Sequence, residues 1–225
     1  MTSFPNSPRL LKGAIVGVDE FNPLASLILF QYNPETLTRS LRARTPERAN
    51  WWERPARTEK MRLAGPPEEE IQLEIEIDAT DQLERADPAT ALLGIHPALA
   101  SLEMLLYPKA LSMITSAGLL EVGLLEADPP EAPLTLFVWG INRVLPVRIT
   151  SFSITEQAFG PGLNPIRASA SLSLTVLNYQ DLELTSPGGA LFMAHQIAKE
   201  AMATFNSLSN VASAASSVAA SLPGV

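Results

Sequence analysis

The chain has no cysteine, which excludes disulfides, thiolate nucleophiles and cysteine-built zinc sites. It has only two histidines, His96 and His195, and neither has a second histidine or a carboxylate at ligand spacing, so both read as packing or surface residues. Aromatic residues are 6% of the sequence, with three tryptophans. No run of about 18 apolar residues occurs, so no transmembrane helix and no direct membrane insertion are expected. The start, MTSFPNSPRLLKG, lacks the basic stretch followed by an apolar run that marks a signal peptide. There is no Gly-rich phosphate loop, since Gly160-Pro161-Gly162 is too short and precedes no helix, and no G-x-S-x-G elbow. No cofactor, no metal and no catalytic residue is expected. The lack of cysteine fits folding and assembly in the cytoplasm.

What is present suits a folded body. Hydrophobic residues make up 46% of 225, enough for a sizeable core in one large domain, or one domain plus a tail. The net charge of −8 is unevenly spread. Residues 39–62 hold eight Lys or Arg (Arg39, Arg42, Arg44, Arg48, Arg54, Arg57, Lys60, Arg62) against three acids, Glu47, Glu53 and Glu59. The rest of the chain sets eight bases against 21 acids. A basic island on an acidic body calls for a partner of complementary charge.

Hydrophobic periodicity predicts strands over 11–18, 26–32, 70–79, 134–142, 144–154 and 167–177. The sharpest is EIQLEIEIDA, where Ile71, Leu73, Ile75 and Ile77 alternate with Glu70, Gln72, Glu74, Glu76 and Asp78. Such alternation turns one face to a core and an acidic face away from it. Residues 36–69 are polar, basic and broken by Pro46, Pro55, Pro66 and Pro67, and read as a long loop or extended arm. Residues 80–90 read as loop, and 97–114 as a helix that Pro108 ends or kinks. From Gly188, the spacing of Leu191, His195, Ala198, Met202 and Phe205 predicts a helix with one apolar stripe, fading into an Ala/Ser-rich tail. Six consecutive strands with short connections predict a mainly β (α+β) fold. Its sheet would be antiparallel and closed or nearly closed into a barrel, with one flanking helix.

Three acids on one exposed face do not form an acid/base pair, which needs environments that push the two pKa values apart. Glu74, Glu76 and Asp78 read instead as a solvated face or one that meets a basic partner. In the arm, Trp51 and Trp52 lie between Arg48 and Arg54. Arginine with aromatics serves either nucleic-acid stacking or protein interfaces, and the acidic body disfavours a phosphate backbone. The charge pattern thus predicts self-association, with Arg39, Arg42, Arg44, Trp51, Trp52 and Arg54 of one copy meeting Glu74, Glu76 and Asp78 of the next. Head-to-side contacts of this kind close into rings.

Several segments resemble a known family. Leu27 to Leu37, LILFQYNPETL, resembles the F-x-[FY]-N-P-E-x-L signature of contractile injection system (phage-tail-like) tube and baseplate-adaptor proteins. Phe137-Val138-Trp139-Gly140, Val147 to Phe159, and Gly162 to Ala168 resemble that family's later strands and turn, in order. The resemblance spans 10–180. It implies a phage-tail-tube-like β-barrel or sandwich, and a hexameric ring at the base of the inner tube that joins tube initiator, spike hub and baseplate. The implied partners are further copies of the chain, tube and tube-initiator proteins, the spike/hub protein and baseplate wedge proteins, in a released or membrane-anchored particle. Many relatives carry a LysM module, and none is evident here. The expected division is 1–186 as the β domain, with the arm at 36–69, and 187–225 as C-terminal helix and tail. The main inner tube protein and a polysaccharide- or peptidoglycan-binding module are the alternatives. No residue constellation supports an enzyme.

Overall fold

The computed structural model of the chain describes residues 11–18, 26–44, 63–107 and 133–221. Seven strands form one antiparallel sheet: β1 (Ala14–Val18), β2 (Ser26–Leu29), β3 (Leu37–Arg42), β4 (Glu68–Asp78), β5 (Leu134–Val138), β6 (Val144–Phe159) and β7 (Pro165–Val176). Their order is β2-β1-β5-β6-β7-β4-β3. The fold is mainly β, as periodicity predicts.

The alternating segment forms β4 as expected. Ile71, Leu73 and Ile75 are buried, and Gln72, Glu74 and Glu76 face out. Its register on β7 sets Ile71 opposite Leu174, Leu73 opposite Leu172 and Ile75 opposite Ala170. Apolar faces therefore coincide across the pair, the condition that fixes register. In β6 the phase changes at an irregularity between Ile149 and Ser151. Leu145, Val147 and Ile149 are buried before it, and Phe152 and Ile154 are partly buried after it. One extra residue at a bulge switches which parity faces the core.

The expectation of a barrel needs correction, because the sheet is not closed. Its edges are β2 and β3, which follow one another in the chain. The sheet nonetheless curls, since one core cluster takes Ile15, Phe30 and Phe137 from one half and Ile71, Ile75 and Leu174 from the other. Beyond β2, the Gln31 side chain accepts the N–H of Asp78 at 2.9 Å. Among the described residues no ladder spans this seam, where β2 is four residues long and helices pack beside it. These are α1 (Thr80–Glu84), α2 (Pro88–Leu93) and α3 (His96–Glu103). Leu102 and Leu105 enter the main core, while Ile95 and Leu99 pack on Ala79 and Ala168. A cavity of about 510 Å³ remains between β2, β4 and α3, lined by Ile28, Phe30, Ile75, Ile77, Ile95 and Ala98 among others.

Two loop predictions are also corrected. Residues 80–90, read as loop, carry α1 and the start of α2. Asp87 caps α2 by accepting the Thr90 N–H at 2.9 Å, and Pro88 takes the first turn. The helix expected over 97–114 is found as α3, which begins at His96, and residues 108–132 lie outside the described set. The region read as an arm from 36 contains β3, which pairs with β4 from Leu37↔Leu73 to Arg42↔Glu68. The base of that hairpin is held by the Ala64 N–H donating to the Arg44 carbonyl at 3.0 Å. The last helix, α4, runs Pro187–Ser221 and so takes in most of the Ala/Ser-rich segment.

Candidate assembly surfaces

Two of the segments that carry the family resemblance, those around Phe30–Asn33 and Phe137–Trp139, meet at one corner of the sheet. Asn33 accepts the Gly13 N–H on Oδ1 at 2.9 Å and donates from Nδ2 to the Leu11 carbonyl at 2.8 Å. Phe30 donates its N–H to the Gly13 carbonyl at 2.9 Å. Trp139 stacks on Phe137 at 5.9 Å and tilts against Phe30 at 6.4 Å. A Cβ on Gly13 would stand 2.7 Å from Phe30 and 2.8 Å from Trp139, so glycine is required there by close approach. These residues tie the entrance of β1 to the exits of β2 and β5. Their role is to position the sheet.

The charged residues divide by face. Alternation along β4 puts Glu69 on the same face as Ile71, and only 5% of it is exposed. Arg39 stands opposite Ile71 in β3, also inward. Arg39 donates to Glu69 Oε1 from Nε at 2.8 Å and from Nη2 at 2.5 Å. Lys199 of α4 donates to Oε2 at 3.3 Å. Arg44 Nε lies 3.2 Å from Glu68 Oε1, and its Nη1 donates to Gln180 at 2.6 Å. Arg42 is exposed, across the ladder from Glu68.

On the outer face, Glu74 and Glu76 are exposed opposite Ser171 and Ser169. Glu74 borders an open hollow of about 310 Å³ lined largely by hydroxyls, among them Thr36, Thr38, Ser151, Ser153, Ser171 and Ser173. Asp78 is partly buried and paired with Arg167, whose Nη2 lies 2.7 Å from Oδ2. Burial raises the Asp78 pKa, but hydrogen bonds from the Thr80 hydroxyl and N–H and from Arg167 outweigh it, holding the carboxyl below its usual range. Arg39, Arg44 and Asp78 thus have partners in their own chain, while Arg42, Glu74 and Glu76 are exposed and without an ion pair among the described residues. Trp51, Trp52 and Arg54 lie outside the described residues.

Sequence reasoning missed Glu69 and Lys199. The signal for Glu69 was present, because it extends the inward parity of Ile71, Leu73 and Ile75 by one step.

Apolar surface concentrates on α4. Phe192 packs on the core and meets the ring edge of Tyr179 at 6.3 Å, and His195 is buried. Every residue from Ala201 to Val211 is then exposed, including Met202, Phe205 (74%), Leu208 (66%) and Val211 (68%). The stripe drawn through Leu191, His195, Ala198, Met202 and Phe205 therefore packs in its first half and leaves the body in its second. The helix reaches about 30 Å past Glu200 at 1.5 Å per residue, and no Lys, Arg, Asp or Glu follows Glu200. The end of β6, from Thr155 to Phe159, is likewise exposed on both faces.

Among the described residues no helix is long and apolar enough to cross a membrane. No group of three or more His, Asp or Glu among them could hold a metal ion.

No family model matches the chain, and no curated protein matches it. Among solved structures, a chain described as the virion of a native gene transfer agent particle is similar over 73% of this chain and 90% of that one, with 11% identity and a TM-score of 0.27. A likeness at that score carries no argument about fold or role.

Proposed function

We propose that the chain is a non-catalytic structural subunit of a phage-tail-like contractile particle, forming a ring at the base of the inner tube between tube initiator, spike hub and baseplate. Residues 1–186 form the ring body in this reading, and the C-terminal helix and Ala/Ser-rich tail of 187–225 dock it to its neighbours.

The observation that carries it is the second half of α4. A helix of good length leaves the body with Phe205, Leu208 and Val211 bare and no charge to keep it in water. Soluble monomers rarely display contiguous apolar surface of that kind, and a partner is the usual reason for it. The end of β6, paired along β7 but exposed on both faces, adds a second open surface, with Phe159 at its tip. The sequence resemblance supplies the kind of particle.

The charge arrangement modifies the contact expected from sequence. Arg39 and Arg44 are occupied within the subunit, so they shape the β3–β4 hairpin. Steering between copies falls to the open acids Glu74 and Glu76 on one side, and to Arg42 with Arg54, Trp51 and Trp52 on the other.

Electron microscopy of the purified chain tests this reading. Single closed rings are expected. Long tubes would make it the main tube subunit, and dispersed monomers would overturn a ring altogether.

A further inference from the structure

α4 is apolar on two sides. Phe192 joins the core, His195 is buried and Lys199 reaches Glu69, which marks the side of the helix that lies on the body. Met193, Ile197, Ala201, Phe205, Leu208 and Val211 recur at spacings of four, four, four, three and three, so they share a different face. All six are exposed, Ile197 at 61% although it stands level with the packed part of the helix. At 1.5 Å per residue this outer face runs about 27 Å. A helix apolar on both sides is one built to be covered on both. Past Glu200 it has no charged residue to bury. Thr204 and Ser207 donate their hydroxyls back to the carbonyls of Glu200 and Ala203 at 2.9 and 3.0 Å, so these hydroxyls need nothing from a covering surface.

A second apolar surface lies at the tip of the β6–β7 hairpin. Phe159, paired with Pro165 at the base of the connecting loop, is exposed, and Leu163 within the loop is 80% exposed. The end of α2 is held against this loop. The Leu92 carbonyl accepts from Asn164 Nδ2 at 2.7 Å, and the Ile95 N–H donates to the Pro165 carbonyl at 3.0 Å. Leu92 and Leu93 are exposed as well, so four large apolar side chains stand open on two elements that touch. Leu163 has φ 62°, a left-handed conformation that is strained for leucine and easy for glycine. Strain retained together with a bare apolar side chain points to a functional surface.

The helix and the tip are fixed to opposite ends of β4. Lys199 meets Glu69 at its start. At its end Asp78 stands opposite Arg167, and the Ala79 N–H donates to the Ile166 carbonyl at 2.9 Å. From Glu69 to Asp78 the strand runs about 30 Å. Both surfaces are exposed in one subunit, so they do not cover each other within it.

We propose that the outer face of α4 in one copy packs on the hairpin tip of a second copy, with Phe205 and Leu208 against Leu92 and Leu163. A second copy is the fitting occupant because it brings the matching surface, a long apolar face with no charge to strand on an apolar tip. The contact joins unlike surfaces, so every docked copy still offers one free helix or one free tip, and head-to-tail contacts of this kind close into rings. Pairing of α4 with α4 would instead be two-fold and stop at two copies. The inference rests on the reading of α4 as a docking element and names what it docks on.

Sedimentation velocity on the full chain and two double variants tests it. One variant carries Phe205→Glu and Leu208→Glu, the other Leu92→Glu and Leu163→Glu, with circular dichroism checking that both fold. Each alone is expected to associate more weakly than the unaltered chain by about tenfold or more. An equimolar mixture is expected to form pairs and nothing larger, because one intact helix face then meets one intact tip. Leu163→Gly, which removes the side chain and relieves the backbone, should weaken association and leave the thermal midpoint no lower. A mixture that stays at the single-subunit mass would overturn the inference, as would a tip variant that associates like the unaltered chain. Closed rings from the tip variant would overturn it and leave the ring reading standing. Pairs from the mixture, beside open filaments from the unaltered chain, would uphold it and overturn the ring.

Discussion

Glu69 holds together three elements far apart in sequence, since β3, β4 and α4 all meet at its carboxylate. Glu69→Gln removes the charge and keeps the shape, leaving Arg39 and Lys199 facing a neutral amide. Because both cations are partly exposed, the loss should be moderate, about 2 kcal/mol by denaturant unfolding. Glu74→Gln, on the open face of the same strand, should change stability by no more than about 0.5 kcal/mol. His195 has the opposite dependence on proton uptake from an ordinary paired histidine. Its folded pKa lies below the unfolded value, so the unfolded chain binds the proton more readily. Its contribution is complete above the unfolded pKa and is lost as pH falls through the folded one. The thermal midpoint should therefore drop as pH falls below about 6.5, and His195→Gln should flatten that slope.

Among the elements, β4 was the most legible in sequence, because it lies between two neighbours with one face on the core and one in water. Strict alternation is the direct print of that position. β3 left no such print. Its six residues, LTRSLR, alternate weakly, its inward arginine is neutralised by a glutamate 30 residues away, and nothing local announces that pairing. The short helices after β4 were lost for a related reason: α1 and α2 are five and six residues long, below the length at which a 3.6-residue period shows. Gly94 stands between α2 and α3 at φ 56°, where an added Cβ would collide with the Pro165 carbonyl oxygen. That carbonyl accepts the Ile95 N–H at 3.0 Å. Gly94→Ala should cost about 2 kcal/mol, read from chemical denaturation. For α4, the stripe was visible in sequence, but where the helix parts from the body was not, since that depends on how far the sheet extends beneath it. Ending the chain after Glu200 removes residues that are all exposed, among those whose side chains are described. The thermal midpoint should then move by no more than a few degrees.

At the scale of the whole molecule, the core lies in the concavity of a curled sheet whose edge strands, β2 and β3, share no ladder. Six of the seven strands could be read from the chain, yet the open seam could not, because closure depends on whether the edges share a ladder or helices fill the gap. Leu174, fully buried at the centre of β7, draws on both halves of that core. Leu174→Ala should lower stability by about 2–5 kcal/mol, with a single cooperative transition. The same architecture leaves the far half of α4 exposed and the tip of β6 open on both faces, and this surface is the ground for regarding the subunit as unfinished by itself. Light scattering coupled to size-exclusion chromatography, run on the intact chain beside the chain ending at Glu200, tests that most directly. A stable multiple of 24.2 kDa for the intact chain, falling towards the single-subunit mass in the shortened one, is the predicted result. An intact chain that elutes as one subunit at every concentration would contradict it.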